Sequence, residues 1–242
     1  MTKNLAITLS LLCTSLAFSD GLEKDTIRTS AGDVEITFVG HATVMLRWGG
    51  KTIDVDPWTR LPGFAGLPEA DLVLVTHEHF DHFDTAAIAQ VRTPSTVVIM
   101  PAKCAAQFGG ALVMKNGDVK KVLGMIVEAV PAYNLVHKRP DGLPFHPKGE
   151  GNGYVLTIGR TRFYFAGDTE NTPEMEALKD VDVAFLPMNL PYTMTPEMVA
   201  AAAKAFRPKI LYPYHYSQTD PQKLVGLMKD EKGIDVRVRS MR

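Results

Sequence analysis

Cysteine is scarce in this chain of 242 residues, with only Cys13 and Cys104 present. Cys13 lies in an N-terminal segment that we expect to be removed, so the mature chain would contain one thiol and no internal disulfide. Its stability must therefore come from an apolar core and from any metal that it binds. Cys104 follows the apolar run 96–100, and we interpret it as a small packed residue at a strand-to-helix junction. The alternative is that Cys104 is a metal ligand.

An excess of charge of one sign is also lacking. The chain has 26 Lys and Arg residues against 27 Asp and Glu residues, a formal net charge of -1, and no block of like charges. This balance excludes recruitment of nucleic acid or an anionic membrane by bulk electrostatics. Hydrophobic residues make up 45% and charged residues 22% of the sequence. We therefore expect one globular domain with a substantial core.

The apolar run at the N-terminus is too short to span a membrane. Residues 5–18 are uncharged and mostly apolar, but this is about 14 residues, whereas a span needs about 20. Lys3 before the run and Ala17-Phe18-Ser19 at its end are typical of a secretory signal peptide. We predict a signal peptide over residues 1–19 and a mature domain over 20–242, located in the periplasm or secreted. A retained anchor or a lipid-modified Cys13 are the alternatives.

The remainder of the sequence alternates short apolar runs with turn residues. This pattern predicts strands over 34–39, 44–48, 52–56, 72–75, 96–100, 125–130, 153–158, 162–166, 181–186, 209–214 and 236–238. It predicts helices over 86–91, 196–206 and 221–230, the second with Thr195 as N-cap. Strands first, and then strands alternating with helices, indicate an α/β fold of two packed sheets with helices outside.

Three of the seven histidines fall within residues 77–82, directly after the predicted buried strand 72–75. His77 and His79 are separated by one residue, and Asp81 and His82 follow them. Imidazole and carboxylate together favour zinc, with iron or manganese as alternatives. The competing interpretation is a polar surface loop that is rich in histidine.

Asp168 and His215 also come directly after predicted strands. Each alone would be read as a turn residue or an ordinary partly buried histidine. Because sites in α/β proteins assemble at the carboxyl ends of strands, we expect both side chains to converge on the 77–82 cluster. The sequence therefore predicts a metal site built from three separate segments.

This set of motifs resembles the metallo-β-lactamase superfamily: His-x-His-x-Asp-His at 77–82, Ala-Gly-Asp-Thr at 166–169, and a late histidine at 215. Three further motifs resemble the branch that contains ascorbate-6-phosphate lactonases and N-acyl-phosphatidylethanolamine phospholipase D. They are Gly-His-Ala-Thr at 40–43, Asp-Val-Asp-Pro-Trp at 54–58 and His-Pro-Lys-Gly at 146–149. The resemblance runs from about residue 34 to residue 216.

The resemblance implies an αββα sandwich of two mixed β-sheets with helices on the outer faces, and two metal ions. His77 and His79 would hold the first ion, Asp81, His82 and His215 the second, and Asp168 would bridge them. A metal-bound hydroxide would then attack an ester, lactone or phosphodiester. Asp81, or a metal-bound water, is the candidate for passing a proton to the leaving group.

One position departs from the pattern of the superfamily. A third histidine for the first metal is expected near residues 131–133, but the residue that follows is Asn134. Asn134 could serve as a weak oxygen ligand, or His137 or His146 could reach the metal. We favour His146, because Pro147 and Gly149 could hold its backbone in a defined turn. The alternative is that His146 contacts substrate or packs in a loop.

Three more residues are candidates for supporting roles. His41 and Asp56 would orient the ligating imidazoles, although Asp56 could equally be a turn residue before Pro57. Lys148 could attract a carboxylate or phosphate of the substrate. We expect a small-molecule or lipid substrate, no nucleic acid and no stable membrane insertion after signal removal. Competing functions are a phospholipid phosphodiesterase and a metal-binding protein without catalytic activity.

Overall fold

The computed structural model describes residues 21–241, so the predicted signal peptide, with Cys13, lies outside the described residues. The described part contains fourteen strands: β1 Lys24–Thr29, β2 Gly32–Gly40, β3 Thr43–Trp48, β4 Lys51–Val55, β5 Ala70–Leu74, β6 Arg92–Met100, β7 Leu112–Val113, β8 Val119–Val122, β9 Met125–Ala132, β10 Gly151–Ile158, β11 Thr161–Phe165, β12 Val183–Pro187, β13 Ile210–Tyr214 and β14 Asp235–Val236. Its α-helices are α1 Thr85–Val91, α2 Ala102–Ala105, α3 Pro173–Glu176, α4 Pro196–Phe206 and α5 Pro221–Met228.

The strands form two seven-stranded mixed sheets with the same internal pattern. The first sheet has the order β1-β2-β3-β4-β5-β6-β7, and the second the order β14-β13-β12-β11-β10-β9-β8. In each sheet the first four strands in sequence pair antiparallel, and the last three run parallel to the fourth. The two halves of the chain therefore share one topology, and strands β2, β4, β5 and β6 point the same way.

A continuous apolar core joins the two sheets, and helices cover the outside. Ile53 and Leu72 of the first sheet pack in one cluster with Phe163 and Phe185 of the second. Alternate residues of β5 face the other way, where Val73 packs against Ile88 of helix α1. This is the predicted α/β sandwich of two mixed sheets.

The local signals in the sequence placed most elements correctly. Thr195 caps α4 by accepting a hydrogen bond from the amide of Met198 (3.1 Å), and Pro196 occupies the first helical position. The last strand and α5 are shorter than expected, since they end at Val236 and Met228. Strands β1, β7 and β8 were not predicted, because they are edge or short strands that are largely exposed and lack a buried apolar run.

The topology gathers every predicted site segment at one edge of the sandwich. His41 follows β2, Asp56 follows β4, and the 77–82 segment follows β5; Asp168 follows β11, and His215 follows β13. These strands run parallel within their sheets, so their carboxyl ends lie side by side. No helix among residues 21–241 has the length and apolarity needed to cross a membrane.

Candidate metal centre

Three imidazole rings meet at the first cluster of ligand atoms. The Nε2 atom of His77 lies 3.1 Å from Nδ1 of His79, and Nε2 of His146 lies 3.2 Å from the same Nδ1 atom. His77 and His146 are buried, and His79 is half-buried. Burial, together with the neighbouring histidines, lowers the pKa values of His77 and His79. Neutral imidazoles with converging nitrogens are suited to binding a metal ion.

The second cluster contains one carboxylate and three histidines. The Oδ2 atom of Asp81 lies 2.9 Å from Nε2 of His41, 3.5 Å from Nε2 of His215 and 3.9 Å from Nε2 of His82. Burial alone would raise the pKa of Asp81, but hydrogen bonds from His215 and His41 hold it well below its usual range. Asp81 is therefore an anionic ligand candidate at neutral pH.

Asp168 lies between the two clusters and faces both. Its Oδ2 atom is 3.2 Å from Nε2 of His146 and 3.9 Å from Nε2 of His77. Its Oδ1 atom is 3.4 Å from Nε2 of His82 and 3.3 Å from Nδ1 of His215. Burial would raise the pKa of Asp168, but the rings of His215 and His82 keep it well below its usual range. The carboxylate thus offers one oxygen to each cluster.

The backbone is strained where it delivers these side chains. His41, Asp56 and His215 have φ angles of 53°, 45° and 45°, in the left-handed region that non-glycine residues seldom adopt. Gly167, before Asp168, has φ +65°, and a Cβ atom there would lie 2.9 Å from Cβ of Thr76. Only glycine fits this turn without a shift of the neighbouring strand end.

Asp56 and Thr76 orient two of the ligating rings. Asp56 accepts hydrogen bonds from His82 Nδ1 (2.8 Å) and from both the amide (2.8 Å) and the hydroxyl (2.7 Å) of Thr76. The Thr76 hydroxyl lies 3.0 Å from Nδ1 of His77. Burial lowers the pKa of His82, but the carboxylates of Asp168 and Asp56 outweigh it and raise the value to about 9. Contacts to Nδ1 leave Nε2 of each ring facing the clusters.

The structure separates the three candidates for the third ligand of the first metal. His146 joins His77, His79 and Asp168 in one group of converging ligand atoms. Asn134 stands one step away, where its Oδ1 atom accepts a hydrogen bond from Nδ1 of His146 (2.7 Å). His137 points elsewhere, with Nδ1 2.5 Å from Oε1 of Glu170. Sequence reasoning missed Glu170, because a carboxylate after the Asp168 turn gives no signal of its own.

The orphaned atoms of the site support metal binding. Nε2 of His82, Oδ1 of Asp168 and Nδ1 of His215 are buried and have no hydrogen-bond partner among the described residues. Buried polar atoms normally have partners, so unpaired nitrogen and oxygen atoms that face one another are suited to binding cations. The donor set of imidazole and carboxylate suits divalent metals. Cys104 belongs to neither cluster; it is buried, and burial raises the pKa of its thiol to about 12.

A cavity of about 370 Å³ opens onto the clusters. Its lining residues are His79, Phe80, Asp81, Arg139, Phe145, His146, Asp168, Asn189, Tyr192 and His215. Lys148, a sequence candidate for binding substrate, is not among them; its Nζ atom contacts Glu174 at 2.7 Å and the hydroxyl of Tyr133 at 3.3 Å. Arg139 lines the cavity instead, and within residues 21–241 no carboxylate lies within 4.0 Å of its guanidinium.

The α/β sandwich and its two His/Asp clusters define the class of this protein, a metallo-hydrolase of the metallo-β-lactamase superfamily. A family model described as "Beta-lactamase superfamily domain" matches residues 35–215. Two curated relatives are each named "UPF0173 metal-dependent hydrolase". The one from Thermococcus onnurineus is 31% identical over 220 residues, covering 82% of this chain and 93% of its own length. The one from Thermus thermophilus is 33% identical over 201 residues, covering 80% and 88%. The chain belongs to this UPF0173 family of metal-dependent hydrolases.

A solved structure from Parabacteroides distasonis is also similar. It is 44% identical in sequence and has a TM-score of 0.87, with 91% of this chain and 100% of that chain covered. The similarity therefore extends over nearly the whole of the described fold.

Proposed function

We propose that this protein hydrolyses an ester, a lactone or a phosphodiester with the help of two divalent metal ions, zinc in the first place and manganese or iron as alternatives. One observation carries the proposal: the two oxygens of Asp168 face different clusters, Oδ2 toward His146 and Oδ1 toward His82 and His215. A carboxylate shared in this way is suited to bridging two ions.

The proposed ligand sets follow from the clusters. His77, His79 and His146 would hold the first ion, and Asp81, His82 and His215 the second, with Asp168 between them. When bound, two such ions lower the pKa of a water molecule and polarise a carbonyl or phosphoryl oxygen. His41 and Asp56 would act through their hydrogen bonds to Asp81 and His82.

Asp81 would carry the proton of the reaction. Its carboxylate lines the cavity, so it could take a proton from the attacking water and pass it to the leaving group. The Nε2 atom of His41 lies 2.9 Å from Oδ2 of Asp81 and would hold the carboxylate in place.

The cavity favours an anionic substrate with an apolar part. Arg139 lines the cavity, and its Nη2 atom donates a hydrogen bond to the carbonyl oxygen of Phe145 (2.9 Å). The rings of Phe145 and Tyr192 meet edge to face with centroids 5.0 Å apart. An arginine without a carboxylate partner, beside two aromatic rings, can bind a carboxylate or phosphate whose apolar substituent packs on the rings.

A phospholipid phosphodiesterase is the second candidate. The connections 133–150 and 188–195, which carry Phe145 and Tyr192, also expose apolar side chains, namely Leu135, Val136, Leu143 and Leu190. Exposed apolar groups near a cavity can contact the acyl chains of a lipid. The resemblance to lactonases and to a phospholipase D in several motifs makes lactones and phospholipids the first substrates to test.

We further propose that the protein is exported, with residues 1–19 as its signal peptide. The proposal rests on Lys3, the apolar run 5–18 and the small residues at 17–19. Mass spectrometry of the N-terminus of the protein from a bacterial periplasm would test it. A mature N-terminus near residue 20 is expected, and retention of Met1 would contradict it.

The decisive experiment combines metal content with turnover. Purified protein should contain about two metals per chain and should hydrolyse members of a panel of lactones, nitrophenyl esters, bis-nitrophenyl phosphate and phospholipid vesicles. Activity should disappear on chelation and return with zinc. A chain that holds a single weakly bound metal and is inert on the whole panel would instead be a metal-binding protein without catalytic activity.

A further inference from the structure

The carboxylate of Glu170 is fully buried and accepts an unusual set of hydrogen bonds. Three successive backbone amides donate to it, those of Leu135 (2.6 Å), Val136 (2.6 Å) and His137 (2.7 Å). Two side chains contact it as well: Nδ2 of Asn134 at 3.2 Å and Nδ1 of His137 at 2.5 Å. This single side chain therefore holds the turn 134–137.

The same contacts fix the orientation of Asn134. Its Nδ2 group donates to Glu170 and to the carbonyl oxygen of Tyr192 (2.9 Å), which leaves Oδ1 pointing the other way. Oδ1 accepts hydrogen bonds from the amide and from Nδ1 of His146, both at 2.7 Å. A proton on Nδ1 leaves the lone pair of Nε2 free, and Nε2 is the atom that faces His79 and Asp168.

His146 needs such support because it lies within a long connection. Residues 133–150 join β9 to β10, and His146 lies within this connection and not at a strand end. A ligand carried by a long loop loses more conformational freedom on binding metal than one at the end of a strand. A fixed anchor removes part of that cost.

We propose that Glu170 is a positioning residue that acts through Asn134 to aim Nε2 of His146 at the first metal. The inference rests on the proposed two-metal function. Glu170 itself lines neither the cavity nor a cluster. Substitution of Glu170 should therefore weaken the binding of one metal ion and leave the affinity for the other unchanged.

Two variants and a matched control test the proposal. Glu170→Gln places an NH₂ group against backbone amides, and Asn134→Ala removes the link to His146 while leaving the amide contacts of Glu170 in place. Glu174→Gln is the control, because this neighbouring carboxylate pairs with Lys148 and Tyr133 and contacts neither Asn134 nor His146. Metal-free full-length protein is titrated with Co²⁺, followed by visible absorption and calorimetry, with His146→Ala as the reference for loss of the first site.

In both variants we expect one Co²⁺ ion to bind roughly 10- to 100-fold more weakly and the other to bind as in the wild type. The absorption spectrum at one equivalent should match that of His146→Ala, and the control should bind two ions normally. If Asn134→Ala binds both ions with wild-type affinity, the inference is wrong, whether or not Glu170→Gln folds. Weakening of both ions together would also contradict it. Failure of the proposed function would look different, since the wild type itself would then bind fewer than two ions or turn over no substrate.

Discussion

The Nδ1 atom of His146 lies 2.7 Å from the Oδ1 atom of Asn134, where the superfamily pattern led us to expect a histidine just after β9. The Oδ1 atom of Asn134 accepts hydrogen bonds from both the amide and Nδ1 of His146, whereas His146 belongs to the first cluster. The amide of Asn134 thus lies where a ligand was expected, and it contacts the ring of a ligand candidate from elsewhere in the chain. Variants of His146 and His137 can therefore test which residue is the third ligand of the first metal.

His146→Ala should bind one metal ion fewer than the wild type, because the first cluster loses one of its three imidazoles. Elemental analysis after dialysis against a slight excess of zinc measures the stoichiometry. His137→Ala is the matched control, since this ring belongs to no cluster and Glu170 keeps its three backbone amide donors without it. This variant should retain two ions. Equal losses in both variants would contradict the ligand assignment.

Gly167→Ala should destabilise the protein and weaken binding of both metals. The added Cβ atom would lie 2.9 Å from Cβ of Thr76 and 3.0 Å from the carbonyl oxygen of Asn152, so the turn that carries Asp168 must shift. We expect a loss of unfolding free energy of about 1–3 kcal/mol in urea denaturation. Gly117→Ala is the control: φ there is +91°, but no atom lies within 4 Å. The Gly117→Ala variant should lose less unfolding free energy than Gly167→Ala and should bind both metals as the wild type does.

Arg139→Gln should raise KM for anionic substrates and leave KM for neutral ones of the same shape almost unchanged. The guanidinium lines the cavity and pairs with no carboxylate in the described part of the chain. Loss of a charge-assisted contact should raise KM roughly 10-fold, at about 1.5 kcal/mol. Steady-state kinetics on a matched pair of esters, with and without a carboxylate, measures the difference. Lys148→Gln should have little effect on either ester.

Asp54 should make the stability of the protein depend on pH. This side chain is fully buried in β4, and neither carboxylate oxygen has a hydrogen-bond partner among the described residues. Burial raises the pKa of Asp54 to about 8. The folded chain therefore keeps a proton that the unfolded chain releases near pH 4, so stability falls as the pH rises through this window and levels off above about 8.

Asp54→Asn removes this titration. Urea denaturation of the metal-free proteins between about pH 5 and pH 8 should show a shallower decline for the variant, by up to about 1.4 kcal/mol per pH unit. Metal-free protein is used because metal binding has a pH dependence of its own. Parallel curves for wild type and variant would show that Asp54 is not the titrating group.

Local patterns accounted for most elements that are buried or capped, but not for the short helix α3, which Thr172 caps. The apolar run before His77 became β5, and Thr195 with Pro196 began α4 as expected. The same patterns did not predict β1, whose own sequence is charged and alternating. This strand lies at the edge of the first sheet, where it pairs with β2. An edge strand depends on its partner for its conformation, and a single sequence does not carry that information.

The sequence by itself determined the chemistry of the centre, because an imidazole or a carboxylate is a metal ligand wherever the fold places it. The spacing of His77, His79, Asp81 and His82 and the strand ends before Asp168 and His215 were sufficient for that. Only the tertiary structure placed His146, and not His137, beside His77 and His79. It also placed Arg139, and not Lys148, at the cavity, and it brought Glu170 against the turn 134–137. These placements depend on the path of the connection 133–150. Contacts with residues far apart in the chain, such as Glu170 and Tyr192, set that path.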